Sequence, residues 1–597
     1  MFLEHTLPSP IHPLLGLLIA ILQLGGTVFL GRYALHRFFL IKSDFVGLLL
    51  GMILVSWLMY IFSLRPVSLL MVYPIAIILV ICGSLYYYQK IQIVCFKRTP
   101  LYINKKLNIT NLCWLVGIVL CILFFLSAIG PPTMTDALDY HWGVPIYLLR
   151  WGKWPITDIW LHGSLAGWGE IYNMIGMALY ADNLSTLLQV IGLLWFVFYL
   201  TKNEPAVKTN FLRLFILSSP VILAMITGPK PQIFPQVVTA TALYLTVSKP
   251  QLSKRLFILI CILLMGAAQQ KLSFIISGGV VGLLALKRSS NNIYFALLAA
   301  GSMFILFFLP RGLWNLQQVE EWRLINFFTP LPESFGHFLR IFRENSSTIF
   351  PMNLFIPESF GKITTVLGVQ CFALLFVRTK QKIFFEIIAV VVLSAFMSYL
   401  VGQSTARMFY EYILWAAVAL SFVNLKEFNF GSFSPLILIQ SFLTVGLSLF
   451  MLTISIGVVH PQVSQKVMRQ SAYHYSAIDW INSELPKDAV LLSGLRSVAL
   501  LEGQFIPTDW LKHGDNPMNY LEEVKKRKAN FLAISVSDPR YPILSKCVGE
   551  VYAGPKSFRT ATRNPFNQGD LYQVTIFKFN HHLLPSCITV FGHADDF

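Results

Sequence analysis

Long uninterrupted apolar runs dominate the chain, and short polar stretches separate them. A run of about 18–20 apolar residues is long enough to cross the hydrocarbon of a bilayer as a helix. We therefore predict an all-α polytopic membrane protein with about fourteen spans, whose boundaries are good to a few residues. The predicted spans are 11–31, 45–64, 67–88, 110–130, 184–201, 212–228, 232–248, 256–270, 272–287, 292–310, 362–377, 383–401, 408–424 and 433–457.

Basic residues cluster in alternate short loops of this pattern. Lys and Arg in short loops mark the cytoplasmic side of a membrane protein. The loops around 32–42, 89–109, 202–213, 249–255, 287–288 and 378–382 are the basic ones. The loop that holds Asp136, the segment 311–361 and the C-terminal tail are then predicted to face outward.

The composition agrees with a membrane protein and argues against a nucleic-acid partner. The chain is 55% hydrophobic and only 13% charged. Its formal net charge of +17 is explained by the basic cytoplasmic loops, so nucleic-acid binding is rejected. The expected location is the cell (inner) membrane, with the lipid bilayer as a partner.

The chain divides at about residue 458, where the long apolar runs stop. We predict a membrane domain over 1–458, with large outward loops at 131–183 and 311–361, and a small soluble α/β domain over 459–597. Within the second domain, helices are predicted at 473–485 and 517–529, and strands at 489–492, 531–536 and 572–579. Most tryptophans of loop 131–183 are expected to anchor the membrane interface.

Two carboxylates stand where an apolar segment ends at a membrane face. Asp136 and Asp139 follow the run that ends near Ile129, and ionisable groups at such a place are usually functional. Asp136 and Tyr140 are four residues apart and share a helical face, whereas Asp139 is expected to point elsewhere. A loop with solvated carboxylates is the plainer alternative. The sequence contains no phosphate-binding glycine loop, dinucleotide fingerprint or paired metal-ligand motif.

The sequence around these carboxylates resembles membrane glycosyltransferases of the GT-C superfamily. Asp136-Ala137-Leu138-Asp139-Tyr140-His141 looks like their first outward loop, and is most similar to the bacterial protein mannosyltransferase and aminoarabinose transferase group. In these enzymes an Asp after a membrane helix, with a Tyr four residues on, acts in the active site. The ordered resemblance continues with His162-Gly163-Ser164, Gly169-Glu170, Lys230 after Gly228-Pro229, Lys271 after Gln269-Gln270, Arg311 before Trp314-Asn315, and Arg407 before Phe409-Tyr410.

The resemblance implies a GT-C-like core and transfer of a sugar from a polyprenyl-phosphate donor to an extracytoplasmic glycan or lipid acceptor. Such a displacement needs a base for the acceptor hydroxyl and cations for the phosphate leaving group. Asp136 is the candidate catalytic base. The candidate substrate-binding residues are Asp139, Tyr140, His141, His162, Glu170, Lys230, Lys271, Arg311 and Arg407.

Several alternatives stay open at this point. Each basic residue could be a snorkelling side chain at the interface. Ala137 stands where several relatives have a second acid, so the sequence leaves open whether a divalent metal binds near Asp136. No other cofactor is predicted. The rival functions are a lipid-linked-oligosaccharide flippase or transporter, and a non-catalytic envelope assembly factor.

Overall fold

The structure is a computed structural model of the 597-residue chain. It describes residues 11–64, 69–96, 109–154, 160, 163, 166–319, 350–424, 427, 430–507, 525–536, 549–560 and 569–578. The side chains of 69, 70, 92–96, 109, 110, 290, 311, 314–319, 360, 361 and 430–434 lie outside this description. His162 and most of the predicted helix 517–529 also lie outside it, as does the side chain of Arg311.

The described part of the chain is mostly helical. The helices are α1 Pro13–Ala34, α2 Asp44–Ser63, α3 Leu69–Phe96, α4 Ile109–Ala128, α5 Trp142–Trp151, α6 Trp168–Ala178, α7 Leu184–Thr201, α8 Ala206–Leu217, α9 Val221–Ile226, α10 Ile233–Val247, α11 Lys254–Gln270, α12 Ile275–Lys287, α13 Ile293–Val319, α14 Lys382–Leu400, α15 Ala406–Ser421, α16 Phe430–Ser455, α17 Pro461–Ser471 and α18 Tyr475–Glu484.

Eight helices in the described ranges are long and apolar enough to cross a membrane, so the chain is an integral membrane protein. They comprise α1 to α4, α7, α13, α14 and α16. Ile233–Val247 and Leu272–Lys287 are apolar but shorter. The predicted count of about fourteen spans is therefore not confirmed.

Two predicted spans differ in the structure. The span 212–228 is broken into α8 and α9 at Ser218–Pro220, because a proline cannot continue the hydrogen-bond ladder. The span 362–377 is wrong, since its residues form 3₁₀ segments Phe360–Thr365 and Gln370–Phe376. Gly368 between them has a φ of +95°, which no α-helix accommodates. The Gln440 side chain lies against Gly368 and accepts a hydrogen bond from the Val369 N–H at 2.6 Å.

The first three helices pack with their backbones in close approach. A Cβ atom on Gly31 would stand 1.9 Å from the Gly47 carbonyl oxygen, and one on Gly83 would stand 1.8 Å from that of Leu22. Small residues are the usual contact between membrane helices, since they let dispersion contacts form along the backbone. A larger side chain at Gly31 or Gly83 would force α1 away from its neighbours.

The described part of the large loop 131–183 folds back into the protein. It contains α5 and α6, and Trp142, Trp154, Trp160 and Trp168 are buried there. The expectation that most of these tryptophans anchor the membrane interface is therefore wrong. Their indole rings pack on protein instead, as when Trp160 stacks edge-on against Phe505 at 5.3 Å between ring centroids.

The C-terminal region carries a five-stranded mixed sheet. Its strands are β1 Val490–Ser493, β2 Gln504–Pro507, β3 Phe531–Ser535, β4 Val551–Arg559 and β5 Leu571–Lys578. The order is β2-β1-β3-β5-β4; β1 pairs in parallel with β2 and β3, and β5 pairs antiparallel with β3 and β4. The predicted strands near 489–492, 531–536 and 572–579 are confirmed, whereas β2 and β4 were not predicted. The domain boundary at 458/459 remains a prediction.

Candidate functional site

Asp136 lies in the turn between α4 and α5, outside the spanning helices. Residues Ala137–His141 form a π-helical turn that runs directly into α5. The wider turn changes which side chains share a face, and Asp139 does not point away from Asp136 as expected. The Nη2 atom of Arg496 lies 3.3 Å from Asp136 Oδ1 and 3.0 Å from Asp139 Oδ2. Both carboxylates therefore face the same arginine.

Three cationic side chains surround the Asp136 carboxylate. Lys230 Nζ donates to Oδ2 at 2.6 Å, Arg407 Nη1 lies 3.6 Å from the same oxygen, and Arg496 contacts Oδ1. Burial alone would raise the pKa of Asp136, but the three positive charges outweigh burial and hold that pKa well below its usual range. Asp136 is therefore an ionised carboxylate at neutral pH.

Lys230 is positioned by a rigid loop between α9 and α10. The carbonyl oxygen of Pro229 accepts hydrogen bonds from Asn173 Nδ2 and Ser185 Oγ, both at 3.2 Å. The Lys230 side chain is only 3% exposed. Burial, followed by the charge of Arg407, lowers the pKa of Lys230 to about 8 in spite of the neighbouring Asp136. A buried ammonium held this way is a strong binder for a further anion.

Lys271 extends the cationic cluster at the end of α11. Its Nζ donates to Gln232 Oε1 at 2.6 Å. Burial and the charges of Lys230 and Arg407 hold the pKa of Lys271 well below its usual range. Buried positive groups that repel one another are typical of a site that binds an anion.

The charges of the described side chains do not balance at this place. Lys230, Arg407 and Arg496 meet two carboxylates, Asp136 and Asp139, before Lys271 is counted. Nearly buried Asp139 has Arg496 on one oxygen and the Trp160 indole N–H on the other at 3.0 Å. The cluster thus has an excess of positive charge and can accept an anionic group such as a phosphate.

Glu170 and His141 form a second, neutral pair beside the cluster. His141 Nδ1 lies 2.6 Å from Glu170 Oε1, and the Gly167 N–H donates to Glu170 Oε2 at 2.7 Å at the start of α6. Burial raises the pKa of Glu170 to about 8 and holds that of His141 well below its usual range. The contact is therefore a hydrogen bond from a protonated carboxyl to a neutral imidazole, not an ion pair.

The predicted residues converge on one place, and the structure adds one to them. Lys230 and Arg407 contact Asp136, and Arg496 links Asp136 to Asp139. Tyr140 packs on His141 with 4.0 Å between ring centroids. His162 and the Arg311 side chain lie outside the described residues. Arg496 was missed by sequence reasoning. Its only signal was a basic residue just beyond the carboxyl end of a parallel strand, where α/β sheets often place functional groups.

The described side chains contain no cluster of three or more His, Cys, Asp or Glu residues placed to hold a metal ion. The oxygens of Asp136 are occupied by cationic side chains instead. The described residues instead present a set of N–H donors, which suits the binding of an anion.

The comparisons with solved structures return ArnT. ArnT from Cupriavidus metallidurans in the apo state is 11% identical, and the match covers 79% of this chain and 99% of ArnT with a TM-score of 0.46. The same protein bound to undecaprenyl phosphate is 12% identical, with the same coverage and a TM-score of 0.45. ArnT is a GT-C aminoarabinose transferase, the group that the sequence resembles.

Two family models match the chain. No curated protein sequence matches it. The model of the DUF1420 C-terminal domain covers residues 469–591. The model of the DUF1420 N-terminal domain covers residues 84–471, well over half of the chain, and includes Asp136, Lys230 and Arg407. The chain therefore belongs to the DUF1420 family.

Proposed function

We propose that this protein is a membrane glycosyltransferase that moves a sugar from a polyprenyl-phosphate donor to an extracytoplasmic cell-envelope glycan or lipid. The observation that carries the proposal is the excess of cations around Asp136 at the end of a membrane helix. A lipid-linked phosphate would reach this site from the bilayer, and the sequence resemblance to GT-C enzymes supports the same chemistry.

The proposed reaction is an inverting displacement at the anomeric carbon. The acceptor oxygen forms a bond to that carbon while the bond from carbon to the phosphate oxygen breaks. The acceptor proton passes to Asp136, and the electron pair of the broken bond stays on the polyprenyl phosphate. Lys230 and Arg407 stabilise the charge that develops on this leaving group.

The cations around Asp136 stabilise its charged form, so Asp136 is a weak base before the donor binds. A carboxylate whose pKa is well below the usual range has little tendency to take a proton. The donor phosphate competes for Lys230 and Arg407, so its binding raises the basicity of Asp136 at the moment when a base is needed. In this arrangement, the same cations serve the carboxylate in the empty site and the phosphate in the loaded one.

Purified full-length protein and a panel of undecaprenyl-phosphate-linked sugars test the proposal. We expect release of undecaprenyl phosphate and transfer of one sugar of the panel to an envelope lipid or glycan extract. A strain that lacks the chain should lose that same sugar from its glycolipid or cell-wall profile. An unchanged profile, together with no release from any donor, would reject the enzyme and leave a transporter or an assembly factor.

A further inference from the structure

Arg496 reaches the site from a different part of the chain than every other member of the cluster. It follows β1, 360 residues after Asp136. Its Nε and Nη2 atoms both donate to Asp139 Oδ2, at 3.1 and 3.0 Å, and Nη2 also donates to Asp136 Oδ1 at 3.3 Å. One guanidinium therefore joins two carboxylates that belong to one helical turn.

The loop that carries Arg496 is fixed by its own hydrogen bonds. The Gly494 N–H donates to the Ala533 carbonyl of β3 at 2.9 Å, and the Leu495 N–H donates to Ser493 Oγ at 3.1 Å. On the other side of Arg496, Ser497 Oγ donates to the Tyr473 carbonyl at 2.6 Å. The backbone under Arg496 thus has little freedom to shift.

The sheet that holds this loop is docked on the first outward loop. Arg150 of α5 donates to the Leu501 carbonyl, and the Tyr473 N–H donates to the Thr133 carbonyl at 3.4 Å. The Phe505 ring of β2 packs against Tyr147 at 6.1 Å between centroids. Apolar and polar contacts together bury this interface, which places Arg496 over Asp136 and Asp139.

We infer that Arg496 is a positioning residue: through it the C-terminal domain fixes the carboxylates of Asp136 and Asp139, and the active site is incomplete without that domain. Asp139 is 1% exposed and is also held by Trp160, so it is the fixed end of the bridge. Asp136 is the end that faces the reaction. Nε and Nη2 of Arg496 both bind carboxylates, so the contacts described here link Arg496 to Asp136 and Asp139. The inference extends the proposed function and rests on it for the kinetic role.

A double-variant thermal unfolding experiment tests the bridge without any substrate. We compare Arg496→Ala, Asp139→Asn and the double variant of the full-length protein in detergent. If the two side chains act through one contact, the Tm of the double variant should be no lower than that of the less stable single variant. Arg469→Ala is the matched control, because Arg469 also pairs with an aspartate in the same domain, Asp479 at 3.4 Å, but far more exposed. Additive losses for Arg496 and Asp139 would overturn the bridge.

Steady-state kinetics test the positioning role. We expect Arg496→Ala to lower kcat by about 10²-fold, the size of effect that a misplaced group has, with little change in KM for the donor. The acid limb of the pH profile should move to higher pH, because one of the cations that hold down the pKa of Asp136 is gone. Arg496→Lys should restore part of kcat, since an ammonium keeps the charge but cannot span both carboxylates as a guanidinium does.

The outcomes separate the inference from the proposed function. A raised donor KM with unchanged kcat would make Arg496 a substrate ligand, and a lower Tm with unchanged kcat and pH profile would make it purely structural; both overturn the positioning role. If wild-type protein transfers no sugar while the Tm losses stay non-additive, the proposed enzyme fails and the bridge stands. If Arg496→Ala does not fold, Arg496→Lys is carried through the same measurements.

Discussion

Asp136 and Glu170 are two carboxylic acids of the same loop, 131–183, and their surroundings shift their pKa values in opposite directions. Asp136 touches Lys230, Arg407 and Arg496, whose charges hold its pKa well below the usual range. Glu170 touches a neutral imidazole and a backbone N–H, and burial raises its pKa to about 8. The sites differ in two ways: cations contact the Asp136 carboxylate, whose side chain is 30% exposed, whereas Glu170 is 1% exposed and lies against a neutral imidazole.

The difference in protonation suggests different roles for the two acids. A charged carboxylate among cations can give up those cations to a substrate phosphate. The carboxylate is then free to accept a proton. A protonated, hydrogen-bonded carboxyl can hold α6 against the His141 turn but offers no negative charge to the site. Pairs of acids with widely separated pKa values commonly have separate roles in enzymes. We therefore propose that Asp136 takes part in the chemistry and that Glu170 has a structural role.

Replacing the charged member should have the largest effect. Asp136→Asn keeps the size of the side chain but cannot take the acceptor proton, so we expect single-turnover transfer to fall by about 10²–10⁴-fold. Undecaprenyl phosphate binding to the purified variant should survive. Asp139→Asn, which loses only the fixed end of the Arg496 bridge, should reduce transfer much less. Near-normal transfer by Asp136→Asn with an inactive Asp139→Asn would move the base to Asp139, and normal transfer by both would end the mechanism.

Removing one cation should have the next largest effect. Lys230→Ala and Arg407→Ala each take a positive group from the leaving phosphate, a loss of about 2–4 kcal/mol in transition-state stabilisation. The acid limb of the pH profile should also rise, since both residues lower the pKa of Asp136. The measurement is kcat/KM at limiting donor across pH. Full turnover at low donor by both variants would show that these residues do not bind the phosphate. The same loss is expected for Arg311→Ala from the sequence resemblance alone.

Replacing the neutral member should change stability more than activity. The raised pKa of Glu170 means that the native protein binds one more proton than the unfolded chain between pH 4.5 and about 8. Its contribution to stability is therefore present at low pH and is lost as pH rises through that window, by up to about 1.4 kcal/mol per pH unit. Glu170→Gln keeps both hydrogen bonds without a titrating group.

The Tm of wild type should therefore fall relative to that of Glu170→Gln as the pH rises from about 5 to 8. Thermal unfolding in detergent measures it, and turnover should stay near that of wild type. A Tm difference that does not change with pH would mean that Glu170 is ionised in the native protein, and the contrast with Asp136 would disappear.

Labelling tests the orientation of both acids with no expected effect on turnover. The charge alternation predicts that loop 131–183 lies outside and the loop after α7 inside. In a background without native cysteines, a membrane-impermeant maleimide should label Lys153→Cys but not Lys202→Cys in intact cells. Both positions are exposed. The reverse pattern would put the site in the cytoplasm and remove an outward acceptor.

The sequence predicts the site where chemistry and position along the chain coincide. Asp136, Lys230 and Arg407 each stand just beyond or at the beginning of an apolar helix, and these helix ends meet in space. Arg496 could not be found this way, because its partners lie in another domain and only docking brings them together. The tryptophans illustrate the same limit, since an aromatic side chain beside a membrane segment suits an interface and a protein core equally well.

The fold was predicted where a local pattern decides it. Long apolar runs predicted α1, α2 and α4 to within about three residues and α3 except for its end, which lies at Phe96 and not at 88, and apolar strand patterns predicted β1, β3 and β5. The 3₁₀ segments around Gly368 are as apolar as a span, but contact with Gln440 fixes their conformation. Strand β4 contains Gly554-Pro555 and two register irregularities, and these residues look like a turn when read without the partner strand.

The place of Arg496 in the chain has a consequence for biosynthesis. A ribosome that adds about 5–20 residues per second makes Arg496 roughly 20–70 s after Asp136. Throughout that interval the helices enter the bilayer with Asp136 and Asp139 in place but without the arginine that joins them. On the proposed function, a nascent or truncated chain would therefore transfer sugar much more slowly than the finished protein. Completion of the last domain would then raise the proposed transfer rate, so that finished molecules consume most of the donor.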